Sequence, residues 1–190
     1  MKTKSQQAWK QYHSEKFTSY PLALEYEDPR KAVHYFCTPV GAEIFASIGV
    51  DGVHYCTVPK LGEAVFAVTP ESSDPYVFPV ANNFSEFLSL VATLRGTNLI
   101  DQAHLFSKQR FETLRQEQAT ANEDEVKKLC ENFNIEPLEG APYDLILYLY
   151  NNFDYSKIKF SREYYETLGL TPHKNKEYDF VSTMVIYREK

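Results

Sequence analysis

The segment Ile48-Gly49-Val50-Asp51-Gly52-Val53-His54-Tyr55 decides the fold class. Asp51 and Gly52 lie between two apolar runs, and both residue types accept the positive φ that a two-residue type I′ turn requires at its centre. The pattern predicts a β-hairpin in which Val50 lies opposite Val53 and Ile48 lies opposite Tyr55.

Further strands are predicted on both sides of this hairpin. Residues 32–37 are rich in β-branched and aromatic side chains and end at Thr38-Pro39. Residues 64–68 follow the turn at 59–62, and residues 76–78 form a short candidate after Pro75. Because short segments connect these strands, we expect an antiparallel meander.

Helical patterns occur before the strands and dominate the chain after them. Asn83 and Glu86 have the spacing of a capping box, and apolar residues then recur at helical intervals up to Gly96. Residues 144–153 are broadly apolar, so we expect that helix to be well buried. The other predicted helices cover 5–17, 98–118 with a break near Ser107, 122–132, and 161–169.

The order of elements predicts an α+β fold, with an antiparallel sheet flanked by helices and a helix-rich C-terminal half. Residues 178–188 alternate between apolar and polar side chains, which indicates a final strand that returns to the sheet. Because this strand would return to the sheet, we expect a single domain that spans residues 1–190, with a core at about 32–95 and a helical extension at about 96–170.

Composition narrows the compartment and the function classes. No apolar stretch follows the basic start of the chain, and the longest strongly apolar run, residues 145–150, is far too short to span a membrane. The three cysteines are an odd number without a CxxC motif, which indicates reduced thiols. We therefore expect a cytoplasmic protein without a membrane partner.

Charge is unevenly distributed along the sequence. Residues 61–140 contain thirteen Asp and Glu but only six Lys and Arg, a balance of −7 within a total of −6. The basic stripe typical of nucleic-acid binding is missing, so we expect no nucleic-acid partner. An acidic middle favours a basic partner, although a solubilising surface is the simpler interpretation.

No residue pattern predicts catalysis, a cofactor or a metal. His54 and Cys56 share one face of a strand, whereas a structural zinc site needs four converging ligands. Cys37, Cys56 and Cys130 lack the electropositive surroundings of a reactive thiolate. The chain contains no G-x-S-x-G elbow, no P-loop and no G-x-G-x-x-G motif. We expect a protein that is not an enzyme.

Three pieces of the sequence resemble the SUKH superfamily, which includes a yeast cell-wall synthesis regulator and many bacterial toxin-immunity proteins. They are the Asp-Gly hairpin at 49–56, the strand at 63–70, and the strand-to-helix passage at 77–88. The likeness covers about a quarter of the chain, between Ile48 and Val91. It implies an α+β fold and an action without chemistry, namely binding to another protein, as immunity members do when they mask a toxin.

The leading hypothesis is therefore a protein-binding module, and an immunity protein that masks a basic toxin is one form of it. We predict that the partner meets an acidic surface near the sheet, with two tyrosines as anchors provided that they are exposed. A small-molecule binder or unrecognised enzyme with an aromatic pocket around residues 143–165 is the alternative, and self-association into a homo-oligomer is a third. The predicted partner-binding residues are Asp51, Tyr55, Glu63, Glu71, Asp74 and Tyr76.

Overall fold

A computed structural model describes residues 3–171 of the chain and contains six α-helices and five β-strands in that range. The strands form one antiparallel sheet in the order β1-β2-β3-β4-β5, so the predicted α+β fold and the meander are confirmed. The strands are β1 Glu25–Tyr26, β2 Glu43–Ser47, β3 His54–Thr57, β4 Val65–Val68 and β5 Val77–Ala81.

The six helices within residues 3–171 pack on the sheet or on one another, and short 3-10 turns connect several of them. The α2 helix begins after Asn83, whose side chain accepts a hydrogen bond from the Glu86 amide at 3.0 Å. Ser107 caps α3 in the same way, at the predicted break. The helices are α1 Lys4–Glu15, α2 Phe84–Leu94, α3 Lys108–Glu117, α4 Glu123–Phe133, α5 Pro142–Asn152 and α6 Arg162–Thr167.

The turn between β2 and β3 has the predicted conformation but a different register. Asp51 and Gly52 have φ values of 53° and 65°, and the Val53 amide donates to the Val50 carbonyl at 3.1 Å, as in a type I′ turn. Tyr55, however, lies opposite Ala46 and not opposite Ile48. Next to the turn the displacement is two residues, so Tyr55 keeps its face of the sheet. A bulge between Ile44 and Ala46 shifts the register by one further residue beyond that point.

The strand predicted at residues 32–37 is wrong. That segment is irregular and ends in a turn, in which the Thr38 amide donates to the Tyr35 carbonyl at 2.9 Å and the Tyr35 amide donates to Thr38 Oγ1 at 2.9 Å. These local bonds occupy backbone groups that a sheet ladder would need. The sheet instead recruits Glu25–Tyr26 and Glu43–Ser47, which the sequence analysis did not identify as strands.

Each face of the sheet carries its own hydrophobic cluster. The larger cluster joins the sheet to α1 and α2 through edge-to-face aromatic contacts, such as Phe45 with Phe84 at 5.2 Å. The smaller cluster includes Ile44, Cys56, Phe66 and Tyr164 on the other face. Because both faces are covered, β4 and β5 are buried at every position and do not alternate.

Two expectations about the C-terminal half have different outcomes. The α5 helix is less buried than predicted, because only Pro142 and Ile146 are buried and Tyr148 keeps 65% of its surface exposed. Its apolar side chains cover edge strand β5 with one face only. The predicted final strand at 178–188 lies outside the described residues.

None of the helices within residues 3–171 combines the length and the apolar character that spanning a bilayer requires.

Candidate functional site

The meander separates the predicted partner-binding residues. His54 pairs with Val68, so the β2–β3 and β4–β5 loops lie at one end of the sheet, and these loops carry Asp51, Glu71 and Asp74. Glu63 precedes β4 at the opposite end, a strand length of about 10 Å away. The structure therefore does not bring Glu63 together with the other three carboxylates.

Tyr55 is predicted to be an anchor for the partner only if it is exposed, and it is not exposed. Its side chain is fully buried in the larger cluster, and its hydroxyl hydrogen-bonds to Asp101 Oδ1 at 3.2 Å and to the Thr97 carbonyl at 3.3 Å. Tyr55 lies opposite Ala46, and both side chains belong to the larger cluster. The residue holds the loop after α2 against the sheet and is not a surface anchor.

Tyr76 is half-buried beside the smaller cluster. Its ring contacts Phe36 with the centroids 5.2 Å apart and Tyr164 with the centroids 6.3 Å apart. These contacts give the ring a structural role at the end of β5.

A cleft of about 420 Å³ lies at the same end of the sheet as Asp51. One wall is the β2–β3 hairpin, and the other is the irregular segment that follows β1, residues 27–35. Ile44 at its base belongs to the smaller cluster, so the cleft opens on that face of the sheet. The residues that line it are Glu27, Lys31, Ala32, Val33, Tyr35, Ile44, Ser47, Gly49, Val50, Asp51, Gly52, Val53 and His54.

Tyr35 and His54 form a fixed wall of this cleft. Their rings are stacked with centroids 5.6 Å apart and an interplanar angle of 23°. His54 Nδ1–H donates to the Gly52 carbonyl at 2.8 Å, because a carbonyl can only accept. Nε2 then accepts from the Thr38 hydroxyl at 3.3 Å. His54 is only 3% exposed, and this burial lowers its pKa to about 4. The ring is therefore neutral at physiological pH.

Gly52 is required for the position of Tyr35. A Cβ atom at Gly52 would lie 2.6 Å from Tyr35 Cζ and 2.9 Å from the phenolic oxygen. The turn also needs the positive φ that glycine adopts without strain. Gly49, with φ of 80°, makes a similar close approach to the Glu25 carboxylate. Both glycines thus serve the hairpin backbone and the side chains packed on it.

Two carboxylates, those of Glu27 and Asp51, line the cleft. Ser47 Oγ donates to Glu27 Oε1 at 2.8 Å, which orients the Glu27 carboxylate. Asp51 is exposed at the tip of the hairpin. Among the described residues, neither of these acids nor Glu25 forms an ion pair with a basic side chain. Lys31 also lines the cleft and lowers the pKa of the neighbouring Asp28, though less than Arg30 does.

Large apolar side chains are unusually exposed at the same place. Val33 is 71% exposed, Val50 is 59% exposed and Tyr35 is 38% exposed, and all three line the cleft. Single exposed apolar residues are common on proteins, whereas a contiguous group is typical of an interaction site.

The aromatic segment 143–165 has a different structure from the pocket that the alternative hypothesis expects. Beside Asp74 and Tyr76, its residues Tyr155, Ile158 and Phe160 line a cavity of only about 10 Å³. A ligand pocket normally encloses about 300–1,000 Å³. A small molecule would fit the hairpin cleft and not this cavity.

Two of the three cysteines, Cys37 and Cys56, are buried, and Cys130 is half-buried. Burial raises the pKa of the Cys37 thiol to about 12 and raises that of Cys56 as well, so both thiols stay protonated at neutral pH. No group of three or more potential metal ligands converges anywhere in residues 3–171.

Sequence reasoning found one wall of the cleft and missed the other. The Asp-Gly turn identified the hairpin and Asp51. The sequence analysis assigns Val33 and Tyr35 to a strand and does not single out Glu27. Neither Glu27 nor Val33 carries a local sequence signal of a site, because the exposure of Val33 follows from the irregular path of its segment.

The chain matches no protein-family model, no curated protein and no solved structure. The resemblance to the SUKH superfamily therefore rests on the residues quoted for it.

Proposed function

We propose that this chain is a non-catalytic, SUKH-like protein-binding module whose hairpin cleft receives a basic protein partner. A toxin-immunity role, in which the chain masks a basic toxin, is one form of this function. The observation that carries the proposal is that exposed Val33, Tyr35 and Val50 line the same cleft as Glu27 and Asp51, two acids that form no ion pair within residues 3–171.

The apolar part of the cleft supplies the affinity in this proposal. Full burial of a valine or a similar side chain contributes about 1.5–3 kcal/mol relative to its exposed state. Val33 and Val50 keep most of their surface exposed in the free chain, so a partner that covers both gains a large part of that energy. The walls of the cleft that carry Val33 and Val50 are held in place by the hairpin turn and by the Tyr35–His54 stack. Binding therefore loses less conformational entropy than it would with mobile walls.

The charged part supplies orientation and selectivity. Glu27 and Asp51 at the cleft attract a basic surface, and Glu71 and Asp74 extend the negative charge along the same end of the sheet. Such complementarity mainly increases the association rate and rejects acidic partners. The acidic surface predicted from the sequence is thereby restricted to the end of the sheet that does not include Glu63.

Affinity capture with matched charge variants tests this function. The full chain is immobilised, exposed to lysate of its native cells at low and high salt, and the retained proteins are identified by mass spectrometry. We expect one basic partner that is lost at high salt, lost with Asp51→Lys and lost with Val50→Asp. Glu63→Lys makes the same charge change at the opposite end of the sheet and should retain the partner. Retention by all three variants would reject the cleft as the binding surface.

A small-molecule-binding function is the second candidate, and the cleft volume of about 420 Å³ favours it. Native mass spectrometry of the chain purified from its own cells distinguishes the two. A reproducible small-mass adduct that Val50→Asp abolishes would favour a small ligand, whereas a bare chain that captures a protein would favour the module.

A further inference from the structure

We infer that the cleft beside the β2–β3 hairpin takes an arginine side chain of the protein partner, with its guanidinium between Glu27 and Asp51. This inference rests on the proposed function, because it specifies which chemical group of a basic partner the cleft recognises. It is carried by the apolar lining of the cleft, by two lining carboxylates without an ion pair in the described part of the chain, and by the exposed aromatic ring in the wall of the cleft.

The carboxylates define the charge that the occupant must carry. Glu27 and Asp51 both line the cleft, and within residues 3–171 neither has a basic partner. By contrast, the nearby Asp28 is paired with Arg30 at 3.3 Å. Ser47 occupies Glu27 Oε1, so the Glu27 carboxylate is oriented before any ligand arrives. A cation that meets this pair therefore finds acceptors that need no rearrangement.

The apolar lining of the cleft favours a partner side chain with a long aliphatic part between its backbone and its charge. Val33, Ile44 and Val50 lie on the walls and base of the cleft. A long aliphatic stem with a charged end matches such a lining, because basic side chains bury their methylene groups and leave the charge at the edge. A short acidic or polar side chain would leave these surfaces uncovered.

The exposed ring favours arginine over lysine. Tyr35 lines the cleft, keeps 38% of its surface exposed, and is supported by the stacked His54 ring. A guanidinium is planar, stacks on aromatic rings and can donate to two carboxylates at once, whereas an ammonium is a compact and strongly hydrated charge. His54 is neutral because burial lowers its pKa to about 4, so it does not repel the cation.

Among the described residues that line the cleft, Lys31 carries the only positive charge, and this charge weakens the attraction for a cation. It is exposed and follows the paired Asp28–Arg30 turn, in which its backbone amide donates to the Asp28 carbonyl at 2.8 Å. Its flexible stem can leave the cleft without breaking a described ion pair. Replacing Lys31 with Gln should therefore strengthen arginine binding.

A titration of the ¹⁵N-labelled full chain, followed by NMR, tests the inference with N-acetyl-arginine amide as the probe. The citrulline analogue is the control, since it keeps the shape of arginine but replaces the guanidinium with a neutral urea. We expect saturable shifts at Gly49, Gly52 and Val53 with a dissociation constant of about 1–30 mM, since a single side chain yields only a few kcal/mol. The citrulline amide should bind about five-fold more weakly, which corresponds to the upper end of the range for an exposed ion pair.

Variants locate the site and separate this inference from the proposed function. Glu27→Gln and Asp51→Asn should each weaken the arginine probe about three- to five-fold, whereas Glu63→Gln should leave it unchanged. Equal shifts with the citrulline amide, or no saturable shift up to about 50 mM, would overturn the arginine inference. Continued Asp51-dependent capture of a protein would then leave the proposed function standing, and loss of that capture as well would overturn both.

Discussion

His54 makes folding stability depend on pH, and the structure gives the sign and the size of that effect. Burial lowers the pKa of His54 from an ordinary value of 6.5 to about 4, with a smaller contribution from the nearby His34 charge. The unfolded chain therefore takes up a proton near pH 6.5, while the folded chain resists it down to about pH 4. Stability is complete above the unfolded pKa and is lost as the pH falls toward the folded pKa.

The magnitude follows from the two pKa values. At pH 5 the unfolded state gains about 2.1 kcal/mol from protonation of this ring, and the folded state gains less than about 0.1 kcal/mol. His54 should thus contribute a loss of about 2 kcal/mol between pH 8 and pH 5. That is a large part of the typical stability of a domain, about 5–15 kcal/mol.

The assay compares urea unfolding of the natural chain and of His54→Gln across pH 4.5–8. Glutamine does not titrate, so the difference in free energy of unfolding should change by about 2.5 kcal/mol over that range. The comparison cancels the contribution of His104, whose pKa burial also lowers to about 4. An NMR titration of the His54 ring in the natural chain gives an independent value. Parallel stability curves, together with a ring pKa near 6.5, would refute the reasoning.

Three further predictions concern Gly52, Asp101 and Asn122. Gly52→Ala should lower the free energy of unfolding by about 2 kcal/mol, because the new side chain has a positive φ and also clashes with Tyr35. The control is Gly41→Ala, with φ of 79° and open space around it, which should cost about 1 kcal/mol in urea unfolding; equal losses for the two variants would show that the Tyr35 ring moves aside without cost. Burial raises the pKa of Asp101 to about 6, so the folded chain holds this proton more tightly than the unfolded chain. Stability should fall by about 2 kcal/mol as the pH rises from about 4 to 6, and Asp101→Asn should abolish that fall in urea unfolding; an unchanged pH profile would contradict the assignment. Asn122→Ala should lower the free energy of unfolding by about 2 kcal/mol, because the Asn122 Nδ2 group donates to the Pro21 carbonyl at 2.7 Å and to the Arg95 carbonyl at 2.8 Å. Asn122→Gly should cost less, because glycine adopts the φ of 54° without strain; a loss below about 0.5 kcal/mol for both variants would show that these bonds contribute little.

Features set by local chemistry could be predicted from the sequence. The Asp51-Gly52 turn needs only two neighbouring residues that accept positive φ, and it forms as expected. Asn83 and Ser107 cap their helices through bonds to amides three residues ahead, which the spacing reveals. The predicted hairpin consequently located one wall of the candidate site.

Features set by distant contacts could not be predicted in the same way. Residues 32–37 have strand composition, yet the Tyr35–Thr38 turn directs them across the sheet. The two-residue strand Glu25–Tyr26 is too short for any periodicity to reveal, and its existence depends on the pairing partner Ser47. The second wall of the cleft follows from this path of the chain, so Glu27 and Val33 carried no local signal of a site.

The burial of Tyr55 illustrates the same limit at a single residue. An aromatic residue in a strand is equally compatible with an exposed anchor and with a position in the core. Its place in the core depends on Asp101, which lies 46 positions later and accepts its hydroxyl hydrogen bond.

The most direct test of the account measures the affinity of the captured partner for the natural chain, Asp51→Lys and Glu63→Lys by titration calorimetry. Two exposed carboxylates receive the same change of charge at opposite ends of the sheet. The account predicts that Asp51→Lys weakens binding at least about ten-fold, or about 1.4 kcal/mol, while Glu63→Lys changes it by less than about two-fold. Equal weakening by both variants, or a larger effect of Glu63→Lys, would contradict the claim that the hairpin cleft is the binding site.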